Sequence, residues 1–275
     1  MPELPEVQTV VTGLNDILKG KKIINTYIYD DTVIGFPEKN NFIKKSEGKT
    51  IKSLSRRGKY IIFHFEKTSE RLVVHLRMSG KLLFKKREKN RAKHTHVVFE
   101  FDGNTDLRFN NVRKFGRLYL IDEQNVDKAG NLNNLGVEPL SDEFTLELFK
   151  EMLKNRRGMI KPLLMNQEFI AGIGNIYADE ALFLSKIRPD KKANKLSEKE
   201  IERLYKAIRE ILKKGIKMGG TSVSDYVNAL GKAGKFQNEL NVYKKEGGKC
   251  PNCDDEIVKK NVSGRTARFC PNCQD

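Results

Sequence analysis

Cysteine is almost absent from this chain. Of 275 residues only four are cysteine, and all four lie in the last 26 positions. A disulfide framework for the whole fold is thereby excluded. No apolar run approaches the roughly 18 residues of a membrane-spanning helix. The N-terminus also lacks the basic-then-apolar pattern of a signal peptide, so a soluble, cytoplasmic protein is expected. Acidic residues are outnumbered: 36 Asp and Glu face 52 Lys and Arg, a formal charge of +16. Such an excess points to a polyanionic partner, because clustered Lys and Arg gain affinity by releasing counterions from phosphates. Charge alone leaves an anionic membrane surface open as the alternative. The length suits one large domain or two ordinary ones, and 38% hydrophobic residues suffice for globular cores.

What is present begins at the first residues, Met1-Pro2-Glu3-Leu4-Pro5-Glu6. Removal of Met1 would expose the Pro2 nitrogen as a secondary amine, and an α-amino group titrates low enough to be partly neutral and nucleophilic near pH 8. The same residues also suit an ordinary helix start, with Pro5 in the first turn and Glu6 complementing the dipole. Apolar Val7, Val10, Val11, Leu14, Ile17 and Leu18 recur at helical spacing, and Gly20 supplies a stop.

From about residue 22 to 121 the pattern changes to short β-rich runs separated by charged or Gly/Asn-rich turns, which favours an antiparallel sandwich. Residues 1–130 are read as this first domain. A polar, turn-rich stretch follows, with 131–143 as the linker. Helical patterns then occupy 144–154, 175–186 and 197–216, the last opened by a Ser197/Glu200 capping box. Residues 144–236 are read as a helical region ending in a glycine-dense segment, 215–236, which suits either a connector or a ligand-gripping loop. The fold class is α+β.

Residues 237–275 form the last module. Cys250, Cys253, Cys270 and Cys273 are spaced C-x2-C-x16-C-x2-C. Two such knuckles brought together by a short hairpin make a tetrahedral thiolate site with no open position, so one structural Zn2+ is expected, with an iron–sulfur centre as the alternative. Between the pairs, Lys259, Lys260, Arg265 and Arg268 make a basic fingertip suited to phosphates.

Pro-Glu-Leu-Pro-Glu-Val at 2–7, the basic charge and the four-cysteine hairpin together resemble the bacterial formamidopyrimidine-DNA glycosylases. Further similar segments are SRRGKY (55–60), HLRMSG (75–80), KHTH (93–96), VRKFG (112–116), IKPLLM (160–165), AGIGNIYADEALF (171–183) and FQNELNVY (236–243). The resemblance implies a helix-two-turn-helix element at 144–236, ahead of the zinc finger at 237–275. It implies a monomer that acts on double-stranded DNA in the nucleoid of a bacterial cytoplasm. The activity implied is excision of oxidised purines, chiefly 8-oxoguanine and formamidopyrimidines, with cleavage of the strand at the abasic site. Two alternatives stand beside it: an endonuclease VIII-like enzyme for oxidised pyrimidines, and a non-catalytic zinc-containing nucleic-acid-binding protein.

Residue by residue, the resemblance implies Pro2 as nucleophile, Glu3 as acid and base, and Glu6 as a supporting carboxylate. Lys59 and Arg265 match the groups assigned to the elimination steps and to the phosphates. Met78, Arg113 and Phe115 match side chains inserted where the damaged nucleotide leaves the stack, in keeping with an apolar wedge and a hydrogen-bonding arginine. His94, Arg156, Lys161 and Asn175 align with residues that hold the DNA backbone. Three departures stand out: Gln8 replaces a glutamate, Asn111 replaces an aspartate before VRKFG, and Ala267 lacks a hydroxyl that would give a phosphate hydrogen bond of about 1 kcal/mol.

Overall fold

The computed structural model describes residues 1–88, 90–223 and 226–275. Two compact units emerge: Met1–Asn133 with Met218–Lys235, and Asn134–Lys217 with Phe236–Asp275.

The first unit opens with α1 (Leu4–Leu18). The alternating runs then become β1 (Ile23–Ile28), β2 (Ile34–Phe36), β3 (Ile51–Arg57), β4 (Tyr60–Phe65), β5 (Arg71–His75), β6 (Gly80–Lys86), β7 (Thr95–Phe101), β8 (Thr105–Asn111) and β9 (Arg117–Ile121), with α2 (Lys39–Ser46) between β2 and β3. Four strands form one sheet in the order β1-β7-β8-β6, and five form the other in the order β2-β9-β5-β4-β3. Every pairing is antiparallel except β2 with β9, which is parallel. That three-residue edge strand and α2 went unread in the sequence, being too short to carry a periodicity. Val7, Val10, Leu14 and Leu18 of α1 join Ile61, Phe63, Phe99 and Phe109 of the strands in one buried core. At about 25 cal/mol per Å2 of apolar surface, this burial is the main force holding the helix start against the sheets.

The glycine-dense segment belongs to this unit. The sequence pattern groups 218–235 with the helices, yet Tyr226 and Ala229 lie in the sandwich core. The Phe84 N–H donates to the Ala229 carbonyl at 2.9 Å, extending the edge of β6.

The second unit contains α3 (Leu146–Lys154), α4 (Ile160–Met165), α5 (Asn175–Leu184), α6 (Glu198–Lys217) and the hairpin β10 (Val258–Val262) and β11 (Arg265–Phe269). The capping box at the start of α6 forms: Glu200 Oε2 accepts the Ser197 N–H at 2.9 Å, and Ser197 Oγ accepts the Glu200 N–H at 3.4 Å. α6 buries Leu204, Ile208 and Leu212 on one stripe, whereas α5 is buried from Ile176 through Phe183. Gly215 lets the two helices approach, since a Cβ there would stand 2.7 Å from the Tyr177 ring. Glu180, fully buried on α5, accepts the N–H groups of Asn241, Val242 and Tyr243 at 2.8–2.9 Å and the Asn241 side-chain amide at 3.0 Å. A carboxylate saturated in this way anchors the chain as it enters the zinc module.

Candidate functional site

The N-terminal arrangement follows from the local sequence. Glu3 takes extended backbone at the N-cap position of α1, and Pro5 sits where no helical N–H is required. Pro2 and Glu3 are buried, while Met1 is 48% exposed. Glu6, 1% exposed, uses its two carboxylate oxygens separately: Oε2 accepts the Glu3 N–H at 2.8 Å and Oε1 accepts the Thr221 N–H at 2.7 Å. The Tyr226 hydroxyl donates to the Glu6 carbonyl at 3.2 Å, and burial followed by the Glu6 charge holds that phenol well above its ordinary pKa. Gly220 has φ +81°, and a Cβ on it would stand 2.9 Å from Glu6 Cγ. The glycine-dense segment therefore folds back onto the helix start rather than merely connecting elements. Residues 224 and 225 of that segment lie outside the described residues.

Lys59 sits in the two-residue turn between β3 and β4, after Gly58 at φ +53°, and is 5% exposed. The neighbouring Arg56 donates from Nε to Gln8 Oε1 at 3.0 Å and from Nη1 to the Gly58 carbonyl at 3.0 Å. Gln8 thus keeps an acceptor for the arginine although it lacks a charge. His75 accepts the Arg77 N–H on Nδ1 at 3.0 Å. Burial, with Arg77 and Lys59 nearby, pushes its pKa down to about 3, so its imidazole is neutral.

Met78 and Phe115 project from two turns, 45% and 55% exposed, with Val112 at 54% beside them. Exposure of this degree excludes core packing for either side chain. Both turns bend through left-handed residues, Arg77 at φ +53° and Lys114 at φ +54°. Asn111 ties the turns together: its Oδ1 accepts from Ser79 Oγ at 2.8 Å, and Ser79 Oγ in turn accepts the Arg113 N–H at 3.2 Å. The Asn111 departure therefore retains the oxygen that orients the Arg113 backbone. Among the described residues its Nδ2 has no partner. Arg113 Nη1 lies 3.6 Å from Met78 Sδ. His94, half-buried, accepts the Asn111 N–H on its carbonyl at 2.9 Å.

In the second unit, Arg156 is exposed after α3 with its guanidinium 5.7 Å from the Phe169 ring centroid. Asn175 is the first residue of α5, half-buried, and its Oδ1 is buried without a hydrogen-bond partner among the described residues. Arg265 is exposed where β11 begins, after a Ser263-Gly264 turn in which both residues have positive φ, the geometry of a tight two-residue hairpin.

Two expectations need correction. Lys161 is 0% exposed, so its ammonium is not on a surface where it could meet a phosphate. Instead Nζ lies 2.7 Å from Asp179 Oδ1 and donates to the Thr266 carbonyl at 2.6 Å. Burial, only partly opposed by Lys161, pushes the Asp179 carboxyl up to about 7. Ala267 is likewise 0% exposed. A hydroxyl there would be buried, so its absence removes no phosphate contact. Neither Asp179 nor Glu180 had a signal in the sequence beyond an ordinary pair of helix charges.

The four cysteine sulfurs lie within 4.8 Å of one another, with Cys253 and Cys270 at 3.4 Å and Cys250 and Cys273 at 3.8 Å. Four thiolates bound tetrahedrally at about 2.3 Å from one zinc stand roughly 3.8 Å apart, so the cage fits the ion. The Asn252 and Cys273 N–H groups donate to the Cys250 and Cys270 sulfurs at 3.4 Å each, orienting the ligands.

Family comparison agrees with this geometry. Residues 1–118 match the formamidopyrimidine-DNA glycosylase N-terminal domain, 135–227 the H2TH domain of the same proteins, and 247–275 the zinc finger found in FPG and IleRS. The chain is 44% identical to a formamidopyrimidine-DNA glycosylase of Pelotomaculum thermopropionicum, covering 100% of this chain and 99% of that one. It is 42% identical to one of Enterococcus faecalis, covering 100% and 97%. A Lactococcus lactis FPG mutant in complex with Fapy-dG DNA superposes with a TM-score of 0.93 at 42% identity over the whole of both chains. The complex of Lactococcus lactis Fpg with abasic-site DNA gives 0.92 at 43% identity over 99% of each. The chain belongs to the formamidopyrimidine-DNA glycosylase family.

Proposed function

We propose that this protein is a DNA glycosylase and abasic-site lyase of base excision repair, acting as a monomer on duplex DNA that carries an oxidised purine. The observation that carries the reading is the buried Pro2–Glu3 pair at the head of α1, in a protein whose relatives are bound to Fapy-dG and abasic-site DNA. Once Met1 is removed, the Pro2 nitrogen attacks the sugar C1′. The C1′–N bond to the damaged base breaks, and Glu3 protonates the ring oxygen as the sugar opens to an iminium. Loss of a C2′ proton then expels the 3′ phosphate, loss of a C4′ proton expels the 5′ phosphate, and addition of water to the iminium carbon releases the sugar fragment as an aldehyde and returns free Pro2. Lys59 and Arg265 hold the departing phosphates. Met78, Arg113 and Phe115 fill the gap left by the flipped nucleotide. His94, Arg156 and Asn175 contact the backbone. The four cysteines hold one zinc ion, whose role is to fold the hairpin that carries Arg265.

Domain boundaries on this reading are 1–130, a 131–143 linker, 144–236, of which 218–235 packs with the first unit, and 237–275, and the place of work is the bacterial nucleoid. The test is borohydride trapping of the processed protein on duplex DNA with 8-oxoguanine opposite cytosine. A covalent adduct is expected, lost when Met1 is retained; a processed protein that gives none refutes the lyase reading. One Lactococcus lactis relative was solved with DNA containing an oxidised pyrimidine. An oxidised thymine is therefore the comparison substrate, and faster excision of it would transfer the assignment to pyrimidines.

A further inference from the structure

A buried ion pair is costly: removing both charges from water offsets most of their attraction, and apolar replacements are often as stable. Lys161 of α4 and Asp179 of α5 are nonetheless both 0% exposed and 2.7 Å apart. What distinguishes the pair is where its remaining hydrogen bonds go. Lys161 Nζ donates to the Thr266 carbonyl at 2.6 Å, and Asp179 Oδ2 accepts the Arg268 N–H at 3.2 Å. Both partners are backbone groups of β11.

The hairpin register explains the choice. Val262 pairs with Arg265 across the two-residue turn, so Thr266, opposite Asn261, and Arg268, opposite Lys259, stand at the alternate positions whose N–H and C=O groups point away from β10. The free edge of β11 thus receives one donor and one acceptor from a side-chain pair, where a third strand would otherwise supply them. Two-stranded hairpins are marginal alone. Asp179 also lies one helical turn after Asn175, on the same face of α5.

We propose that Lys161 and Asp179 are positioning residues: together they act as a surrogate strand that fixes Arg265, at the hairpin tip, relative to Asn175, at the start of α5. This rests on the function proposed above, in which those two groups meet the DNA backbone. Neither Lys161 nor Asp179 touches DNA. Their chemistry is exerted through the height and tilt of the hairpin, and hence through the elimination step that Arg265 serves.

The test uses the full, zinc-loaded chain and two variants. Lys161→Met leaves a buried unpaired carboxylate, whereas Lys161→Met/Asp179→Leu removes both charges and keeps the volume apolar, so that folding is retained. The readouts are the ratio of 5′-phosphate to 3′-phosphate release from an abasic-site duplex, the Kd for a tetrahydrofuran-containing duplex, the rate of base excision and the zinc content. Misplacing a catalytic group by about an ångström costs up to roughly 100-fold, so the double variant should lose 5′-phosphate release by about tenfold or more and bind DNA more weakly. Its base excision, which depends on Pro2 and Glu3, should change by less than about threefold, with zinc retained. A wild-type product ratio and affinity in the double variant would overturn the proposal. Independent of any variant, the Arg268 amide of the native protein should exchange with solvent as slowly as an interior strand amide; exchange as fast as an open edge also overturns it. If the native protein neither excises bases nor forms the borohydride adduct, the failure lies in the proposed function instead.

Discussion

Replacing Glu6 with glutamine tests how the start of α1 is held. The carboxylate has no donor, and its two oxygens accept the Glu3 N–H at 2.8 Å and the Thr221 N–H at 2.7 Å. Glutamine has nearly the same shape but only one oxygen, so its amide nitrogen must face one of two backbone donors. The bond to Glu3 spans three residues within the first turn of α1, while the bond to Thr221 closes a loop of 215 residues. The local bond survives more readily because it needs no further ordering of the chain, so the loss falls on Thr221. A hydrogen bond to a charged group is worth about 1.5–3 kcal/mol, and a buried N–H left unsatisfied costs a further 1–3 kcal/mol, part of which relaxation of the loop recovers. A net weakening of about 3 kcal/mol in the closed state of the loop is the consequence. With about 1.4 kcal/mol per factor of ten, this accelerates solvent exchange of the Thr221 amide by roughly 100-fold. Hydrogen–deuterium exchange resolved to that residue is the direct assay. Because the chain contains no tryptophan, circular dichroism serves better than intrinsic fluorescence as the parallel measure of global unfolding. Exchange at Thr221 within threefold of the native protein would show that Glu6 does not hold the segment. A loss confined to the Glu3 amide would reverse the assignment of which bond yields.

Three further outcomes follow from the same geometry. His75, whose pKa is pushed down to about 3 by burial, binds a proton in the unfolded chain near pH 6.5 but not in the fold. Its contribution to stability is therefore complete above about pH 6.5 and is lost progressively as pH falls toward 3; an NMR titration of its ring protons with a midpoint near 6.5 would contradict this. Gly116→Ala places a Cβ 2.6 Å from Phe109 Cζ and 2.7 Å from Asn111 Nδ2. Overpacking there should cost about 1–3 kcal/mol in a urea melt, while Gly158→Ala, with nothing within 4 Å, should be nearly silent. Stripping zinc with a strong chelator should abolish DNA binding while the β-rich circular dichroism of the first unit persists; simultaneous loss of both would show that the zinc module supports the sandwich as well.

Much of the fold was legible because its signals are local and periodic. The α1 stripe, the strands of the sandwich, the capping box of α6 and the four-cysteine spacing each follow from a few neighbouring residues. The parallel edge strand Ile34–Phe36 was not legible, since three residues carry no period and its partner is remote. The site divides along the same line. Pro2, Glu3 and the turns carrying Met78 and Phe115 have a motif signal, but the buried setting of Lys161 has none. A lysine in a basic chain reads as a surface charge, and only the fold brings Asp179 and the Thr266 carbonyl to it. Glu6 reads from its neighbours as a helix-start charge and from the motif as a supporting carboxylate, but its partner Thr221, 215 residues away, has no local signal.

Glu6, Asp179 and Glu180 are at most 1% exposed, and each accepts backbone N–H groups from segments far away in sequence. Carboxylates ordinarily stay at the surface, where single salt bridges contribute little. Burying them has two effects that act together. Each of these carboxylates ties down a segment remote in sequence: the glycine-dense loop, the edge of the zinc hairpin, or the lead into the zinc module. The burial also removes negative charge from the exterior, so the lysines and arginines that remain exposed present a less interrupted positive surface to phosphates. The acids that order the short elements and the bases that face a polyanion are in this sense parts of one charge arrangement. Neutralising a buried carboxylate should therefore disturb the geometry of the site far more than the salt dependence of DNA binding, which counts phosphate contacts made at the surface.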